Sequence, residues 1–467
     1  MLANRCGARD TPRDRVKPPK ALRAPITGVA LPVASPVNTS RPSPAISEAE
    51  RRAYARVTWR LIPFLFLCYL VAYLDRVNVG FAKLQMLADI RMSETAYGIG
   101  AGIFFIGYFL FEVPSNLILH RVGARVWIAR IMITWGILSA AMMLVRSVPQ
   151  FYALRFCLGL AEAGFFPGIV YYLSRWYPSA RRARITSLFM TALAVSGVIG
   201  GPLSGWILTT MAGVNGWAGW QWLFLLEGLP SIFVGVAVYS LLDDDIQSAR
   251  WLSVDERALL QRNVDAEQKG GVHLSIGATL RDPRVLVLAM LSFSIVMGVY
   301  GIGFWLPQLI RSMGVQDPLR VGVLSAIPYA TAAVAMVLVG RSSDRHQERR
   351  WHLVVAALVG AGGFALAARF PANVVIGMAA LSAGTASVFT TLPLMWTLPP
   401  SFLRGASAAA GIGAINSIGN LAGFLSPYMI GAVTDATGSP SSGVYVIAAF
   451  QVLAAVLAIP ATRALRA

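Results

Sequence analysis

Apolar runs long enough to cross a bilayer recur along this 467-residue chain from residue 60 almost to its end. A hydrocarbon core about 30 Å thick requires about 20 helical residues at a rise of 1.5 Å per residue. Backbone at that depth must satisfy its own hydrogen bonds, which favours helices over open strands. The predicted spans are 60–82, 97–119, 127–145, 151–173, 185–210, 220–242, 285–310, 321–340, 352–368, 374–397, 406–433 and 443–462.

The charge of the chain is consistent with a lipid environment. Only 13% of the residues are charged, against about 25% in soluble domains. The net charge of +18 could indicate nucleic acid, but 30 of the 40 Lys and Arg residues lie in segments that we assign to the cytoplasmic side of the membrane. This positive-inside bias, with no basic stripe interleaved with aromatics, excludes nucleic-acid binding and predicts that both termini are cytoplasmic.

One long polar segment, 243–284, interrupts the spans and divides them into two sets of six. This is the layout of transporters built from two repeated bundles. We therefore predict an all-α integral membrane protein with twelve transmembrane helices in two six-helix bundles, over 59–242 and 285–467, joined by a cytoplasmic central loop at 243–284. Residues 1–58, rich in Pro, Lys and Arg, are predicted to form a disordered cytoplasmic tail.

Charged residues inside the predicted spans are expensive in lipid and are therefore candidates for function. The six C-terminal spans contain no Asp, Glu, Lys or Arg, so the ionic partners of any charged ligand should come from the N-terminal half. Apart from Arg60 at the start of span 1, the charged residues inside the spans of that half are Asp75, Arg76, Glu112, Arg130, Arg155, Glu162 and Glu227.

The depth of three of these residues predicts an anion site. Arg76 and Arg155 lie about 6–9 Å below the outer ends of spans 1 and 4, and each guanidinium can bind a carboxylate with two hydrogen bonds. Glu162 follows Arg155 by two turns on the same helical face, about 10 Å deeper. A buried carboxylate at that depth can take up a proton.

Other charged residues inside the spans could have structural rather than ligand-binding roles. Glu112 and Arg130 lie near the same level of spans 2 and 3 and are predicted to form a structural pair. Glu227 precedes backbone breaks that need polar partners, which favours a structural role. Asp75 and Arg76 could also pair with each other, although adjacent helical residues point about 100° apart.

Neutral polar residues complete the candidate site. Asn416 and Asn420 are four residues apart, on one face of span 11, and are the best candidates in the C-terminal half. The sequence has no nucleophile–base pair, metal-ligand cluster or phosphate loop, so we expect neither an enzyme nor a bound metal or cofactor.

Several motifs resemble the anion:cation symporter family of the major facilitator superfamily, and the resemblance extends over residues 55–465. They are Tyr73–Asn78, Gly107–Tyr108, Phe111–Asn116, Arg155 with Ala161–Gly164, Pro167–Gly168, Trp220–Trp222 and Leu226–Pro230. The loop after span 8, with Gly340, Asp344 and Arg345, is similar to the superfamily's cytoplasmic loop signature. The loop after span 2, with Arg121 and Arg125, contains a degenerate copy. This loop is expected to hold the bundles together during conformational change.

The family resemblance implies proton-coupled uptake of a small organic anion by alternating access, across a bacterial inner membrane. Bacterial tartrate transporters are most similar, with phthalate and hydroxyphenylacetate permeases nearby, so the expected partners are a carboxylate such as tartrate or an aromatic acid, a proton and the lipid bilayer. A monomer is expected. The resemblance implies that Arg76, Arg155, Tyr73 and Tyr108 bind substrate and that Asp75 and Glu162 carry coupling protons.

Two alternatives remain open on the sequence. A sugar-acid (hexonate) symporter is disfavoured because galactonate-type members carry a glutamine where Leu193 stands. A membrane sensor that binds the anion without moving it would need a cytoplasmic output domain, and the tail and central loop are too short and polar to form one.

Overall fold

The computed structural model describes residues 48–268, 281–399 and 405–463, and within these ranges the chain is helical with no β-strand. The first nine helices are α1 (Glu48–Asp89), α2 (Glu94–Val122), α3 (Ala124–Ala141), α4 (Val148–Glu162), α5 (Phe165–Ser174), α6 (Ser179–Met190), α7 (Ala192–Thr210), α8 (Gly219–Leu241) and α9 (Val254–Gln268). The others are α10 (Pro283–Ser312), α11 (Pro318–His346), α12 (Arg350–Arg369), α13 (Val374–Trp396), α14 (Gly405–Thr437) and α15 (Pro440–Arg463). Short 3₁₀ turns cover Met142–Leu144 and Val214–Gly216.

Eleven helical segments of the described chain are long and apolar enough to cross a membrane. Two of them, Val148–Ser174 and Leu188–Thr210, are interrupted helices that correspond to α4 with α5 and to α7 with the end of α6. The remaining predicted span falls on α14, which has 33 residues but is not among the eleven. Its asparagines and frequent glycines lower its hydropathy. The predicted all-α membrane fold is confirmed.

The helices pack as an N-terminal bundle, α1–α8, and a C-terminal bundle, α10–α15. Contacts between the bundles run mainly through α2 with α14, α7 with α11 and α1 with α10. We call the membrane face of the segment 243–253 the connector side, and the opposite face, with the turns at 90–93 and 313–317, the far side. Helices α1 and α10 run from the connector side to the far side, and α2 and α4 run back. The predicted domain boundaries stay predictions.

The first helix begins earlier than its predicted span. Residues 48–58, which we assign to the disordered tail, are helical, whereas residues 1–47 lie outside the described part of the chain. The ring of Tyr54 is buried and stacks on Tyr177, and Arg56 donates to Glu256 of α9 at 2.9 Å. These contacts with the central loop and with α5's C-terminal turn stabilise the extension, so this part of the tail prediction is wrong.

A left-handed residue separates α4 from α5. Gly164 has a φ of +87°, and a Cβ atom there would lie 2.2 Å from Oγ of Ser115. The Ser115 hydroxyl in turn donates to the carbonyl of Ala163 at 2.6 Å, which satisfies a backbone group that the break leaves open. The break therefore requires glycine and places Glu162 at the last position of α4.

We expect Gly164→Ala to lower the free energy of unfolding by about 2 kcal/mol, because alanine pays for the left-handed conformation and meets Ser115. Thermal denaturation in detergent measures the change. Gly362→Ala in α12 is the matched control, since a Cβ there meets nothing within 4 Å and favours the helix. Equal melting temperatures for the two variants would show that the break tolerates a side chain.

Candidate functional site

A cavity lies between the two bundles and encloses about 680 Å³, part of it open to solvent. Arg76, Tyr300 and Phe105 form its far-side end, and its other lining residues lie toward the connector side. Those residues are Tyr69, Tyr108, Phe166, Met190, Leu193, Ser292, Val296, Val299, Leu392, Trp396, Asn416, Gly419 and Asn420.

Arg76 connects both bundles at the end of this cavity. Its guanidinium forms a buried ion pair with Glu162 at the end of α4, and it donates to the hydroxyl of Tyr300 on α10 at 3.0 Å. The rings of Phe104 and Tyr108 lie 5.5 and 5.8 Å from its central carbon. A cation held by aromatic faces and one carboxylate is suited to exchange that carboxylate for an anionic ligand.

The predicted depth of these groups is wrong. We expect Glu162 about 10 Å below both arginines, but the structure places it in contact with Arg76. The reason is that α1 continues to Asp89, so Arg76 lies 13 residues, or about 20 Å, from its far end. Glu162 is equally deep in α4, whereas Arg155 is only about 10 Å below the start of that helix.

Arg155 does not line the cavity in this structure. It is fully buried, and it donates to the carbonyls of Gly100 and Ala101 on α2 at 3.3 and 3.1 Å. Its guanidinium also lies over the ring of Phe104, 5.1 Å from the centroid. These contacts join α4 to α2, and the predicted ligand role of Arg155 stays a prediction.

Asp75 and Tyr73 are also buried away from the cavity lining. Asp75 accepts hydrogen bonds from Trp135 at 2.8 Å, from Ser139 at 2.9 Å and from the hydroxyl of Ser231. It therefore faces α3 and α8 within the N-terminal bundle and does not pair with its neighbour Arg76. The hydroxyl of Tyr73 is buried and has no hydrogen-bond partner in the described chain. The coupling role of Asp75 and the substrate-binding role of Tyr73 stay predictions.

The structure does bring Tyr108, Asn416 and Asn420 to the cavity that Arg76 lines. The two asparagines come from α14 and the tyrosine from α2, so the predicted residues meet from opposite bundles. Their spacing of four on one helical face is the signal that identified the asparagines.

The predicted pair of Glu112 and Arg130 is not formed. Glu112 accepts a hydrogen bond from Nδ2 of Asn416 at 2.8 Å and thus contacts the other bundle. Arg130 stacks on Trp127, 3.8 Å from the ring centroid. Similar depth on adjacent helices did not determine the direction in which each side chain points.

Sequence reasoning missed Lys83, which lies just beyond the predicted end of span 1. Its ammonium group is buried, forms an ion pair with Glu94 and lies 3.2 Å from the ring centroid of Trp305 on α10. The ring of Tyr97 is 4.7 Å away, and its hydroxyl donates to a carbonyl of α10. This cluster joins the bundles between the cavity and the far side.

The connector-side loops carry further ion pairs. The backbone N–H of Arg125 donates to Asp244 at 2.9 Å, and its side chain is 3.8 Å from the same carboxylate. In the C-terminal copy Asp344 pairs with Arg349 of its own loop. The other residues of the predicted conformational motif are Arg121, Gly340 and Arg345, and the role of the whole motif stays a prediction.

Two helical bundles pack around a central cavity with a buried ion pair at its end, an arrangement typical of multi-pass membrane transporters. The model of the Major Facilitator Superfamily matches residues 65–427, and the chain belongs to this family of secondary transporters.

Two relatives and one solved structure illustrate the similarity. The chain is 49% identical over 421 residues to "Putative metabolite transport protein NicT" of Pseudomonas putida, with 89% of this chain and 96% of the relative covered. It is 49% identical over 413 residues to a "Putative tartrate transporter" of Agrobacterium vitis, with 88% and 91% covered. A bacterial homologue of the human lysosomal transporter Spinster, solved in an inward-facing and occupied conformation, is 17% identical with a TM-score of 0.69, covering 88% of this chain and 97% of that one.

Proposed function

We propose that this protein is a proton-coupled symporter of the anion:cation symporter family, which takes up a small organic carboxylate by alternating access. Its place would be a bacterial inner membrane, with the connector side and both termini in the cytoplasm and the monomer as the working unit. The observation that carries the proposal is the ion pair of Arg76 and Glu162 at the end of the cavity. The names of the relatives, a tartrate transporter among them, agree with a carboxylate ligand.

The ion pair supplies a coupling mechanism. When Glu162 takes up a proton, its charge is lost and Arg76 becomes an unpaired buried cation, which is costly in a low-dielectric interior. An incoming carboxylate restores neutrality and can accept two parallel hydrogen bonds from the guanidinium. Proton and anion therefore stabilise each other's binding, and release of one toward the cytoplasm favours release of the other.

The membrane potential favours the transport of at least one proton with each carboxylate. Moving one negative charge into a cell costs about 2.3 kcal/mol for each 100 mV of inside-negative potential. One proton per carboxylate cancels this cost. Any further proton, for which buried Asp75 is the candidate, turns the potential into a driving force.

The contacts of Lys83 with Trp305 and Glu94, which join the bundles between the cavity and the far side, fit an inward-facing step of the transport cycle. In that step Arg155 is held by α2, so its predicted contact with the ligand would require it to leave the carbonyls of Gly100 and Ala101. Leu193 lines the cavity and offers no hydrogen bond to a polyhydroxylated acid, which again disfavours a hexonate.

Uptake into proteoliposomes should follow an inward proton gradient and be independent of sodium. The physical reason is that the charged partner of Arg76 is a carboxylate that can hold a proton. The measurement is uptake of a radiolabelled carboxylate panel with and without a pH gradient, in sodium and in potassium buffers. Uptake that stops when potassium replaces sodium at a fixed pH gradient would contradict proton coupling.

A further inference from the structure

The carboxylate of Glu112 accepts a hydrogen bond from Asn416, a residue that lines the cavity. Glu112 is only 6% exposed, and its Oε1 atom accepts from Nδ2 of Asn416 at 2.8 Å. We propose that Glu112 fixes the amide of Asn416 so that the cavity presents a hydrogen-bond acceptor apart from Arg76. The ligand would then be an aromatic monocarboxylate that also carries a hydroxyl or ring N–H donor. This inference rests on the proposed carboxylate transport.

The orientation of the amide follows from the chemistry of its partner. An ionised carboxylate can only accept hydrogen bonds, so Asn416 must direct its N–H group toward Glu112. The reversed amide would bring its carbonyl oxygen against the Glu112 oxygens, with repulsion in place of a hydrogen bond. Glu112 therefore prevents the amide flip that would otherwise let Asn416 present either its carbonyl or its amino group to a ligand.

The carbonyl oxygen of Asn416 is left for a ligand. Asn416 is half-buried and lines the cavity, and no residue in the described chain donates to its Oδ1 atom. An acceptor without a donor favours a ligand with an O–H or N–H group at that position. Arg76, which lines the same cavity, would bind the ligand's carboxylate.

The charge and shape of the lining specify the rest of the ligand. Of the described residues that line the cavity, Arg76 is the only charged one, so a second carboxylate would be buried without a cation. Aromatic side chains form much of the wall and can stack on a flat ring. They are Tyr69, Phe105, Tyr108, Phe166, Tyr300 and Trp396.

The test compares the uptake of 4-hydroxybenzoate, benzoate and tartrate into proteoliposomes under an inward proton gradient. The wild type should prefer 4-hydroxybenzoate over benzoate roughly tenfold in kcat/KM, the upper end of what one neutral hydrogen bond supplies. Glu112→Gln should reduce this preference to within about twofold, because glutamine can donate to a rotated Asn416. Asn416→Ala should lose the preference as well.

Glu227→Gln is the matched control, because Glu227 is a buried glutamate of the same bundle that accepts from Ser204 at 2.7 Å and does not line the cavity. Its substrate ratio should equal that of the wild type. The ratio within each variant is independent of the amount of folded protein.

Each outcome separates the two proposals. A wild type without preference for the hydroxylated acid, or a Glu112→Gln variant that keeps the full preference, overturns the inference. Uptake of tartrate in preference to both aromatic acids overturns it too, but leaves proton-coupled carboxylate transport intact. Proton-independent uptake of all three acids, or no uptake of any, counts against the proposed function itself.

Discussion

Glu162→Gln should still bind its anion and exchange labelled for unlabelled anion across the membrane, but it should fail to accumulate anion against a gradient. Glutamine has the shape of the protonated glutamate and leaves Arg76 unpaired, so the carboxylate site is permanently available. No proton can be released from it, so the pH gradient no longer drives uptake. Counterflow and gradient-driven uptake, measured on the same proteoliposomes, separate the two activities.

The wild type and Arg76→Ala are the reference proteins for this experiment. Arg76→Ala should lose both counterflow and accumulation, because the cation of the cavity is removed. If Glu162→Gln accumulates anion as well as the wild type does, Glu162 is structural and Asp75 must carry the coupling alone.

Arg76→Lys should reduce kcat/KM by about 100-fold, although the charge is kept. The guanidinium contacts Glu162 and Tyr300 at once and must then bind a carboxylate with two parallel hydrogen bonds. A lysine ammonium is a point charge that cannot reproduce this fork, and hydrogen bonds to charged groups are worth about 1.5–3 kcal/mol each. Initial rates of uptake across a concentration series give the two kinetic constants, and wild-type values would remove Arg76 from the site.

Arg155→Lys is the informative comparison. If Arg155 binds the ligand during the cycle, as predicted, the affinity should fall and the double variant with Arg76→Lys should show less than the summed effect. If Arg155 only joins α4 to the α2 carbonyls, the melting temperature should fall while the affinity of the folded protein stays unchanged. Ligand binding and thermal denaturation in detergent distinguish these results.

The fold was predictable because lipid imposes a simple rule on length and hydropathy. The cavity residues Arg76, Asn416 and Asn420 could be identified because charged and amide groups are rare in apolar spans, whereas Tyr108 is indicated only by the family resemblance. Their mutual geometry could not be derived from sequence. The predicted first span ended at residue 82 because a charged residue follows, yet α1 continues through buried Lys83.

Contacts between distant segments could not be predicted from the sequence pattern, for another reason. Glu112 and Asn416 are separated by most of the chain, and no local periodicity records which residue of another helix a side chain meets. The break after Glu162 was likewise missed, because Gly164 lies inside an apolar run that reads as one continuous span. In each case tertiary packing decided the outcome.

The burial of Lys83 against Trp305 affects the apparent affinity for one ligand when binding is measured from the two faces of the membrane. A desolvated cation–π contact contributes about 2 kcal/mol, which alone would favour the shut far side by about 30-fold before any ligand arrives. A ligand that arrives from that face can bind only the few per cent of molecules whose far side is open. Its apparent dissociation constant is then higher than the intrinsic one by the same factor. One site would thus report two affinities, and the weaker would reflect the scarcity of open molecules rather than poor contacts.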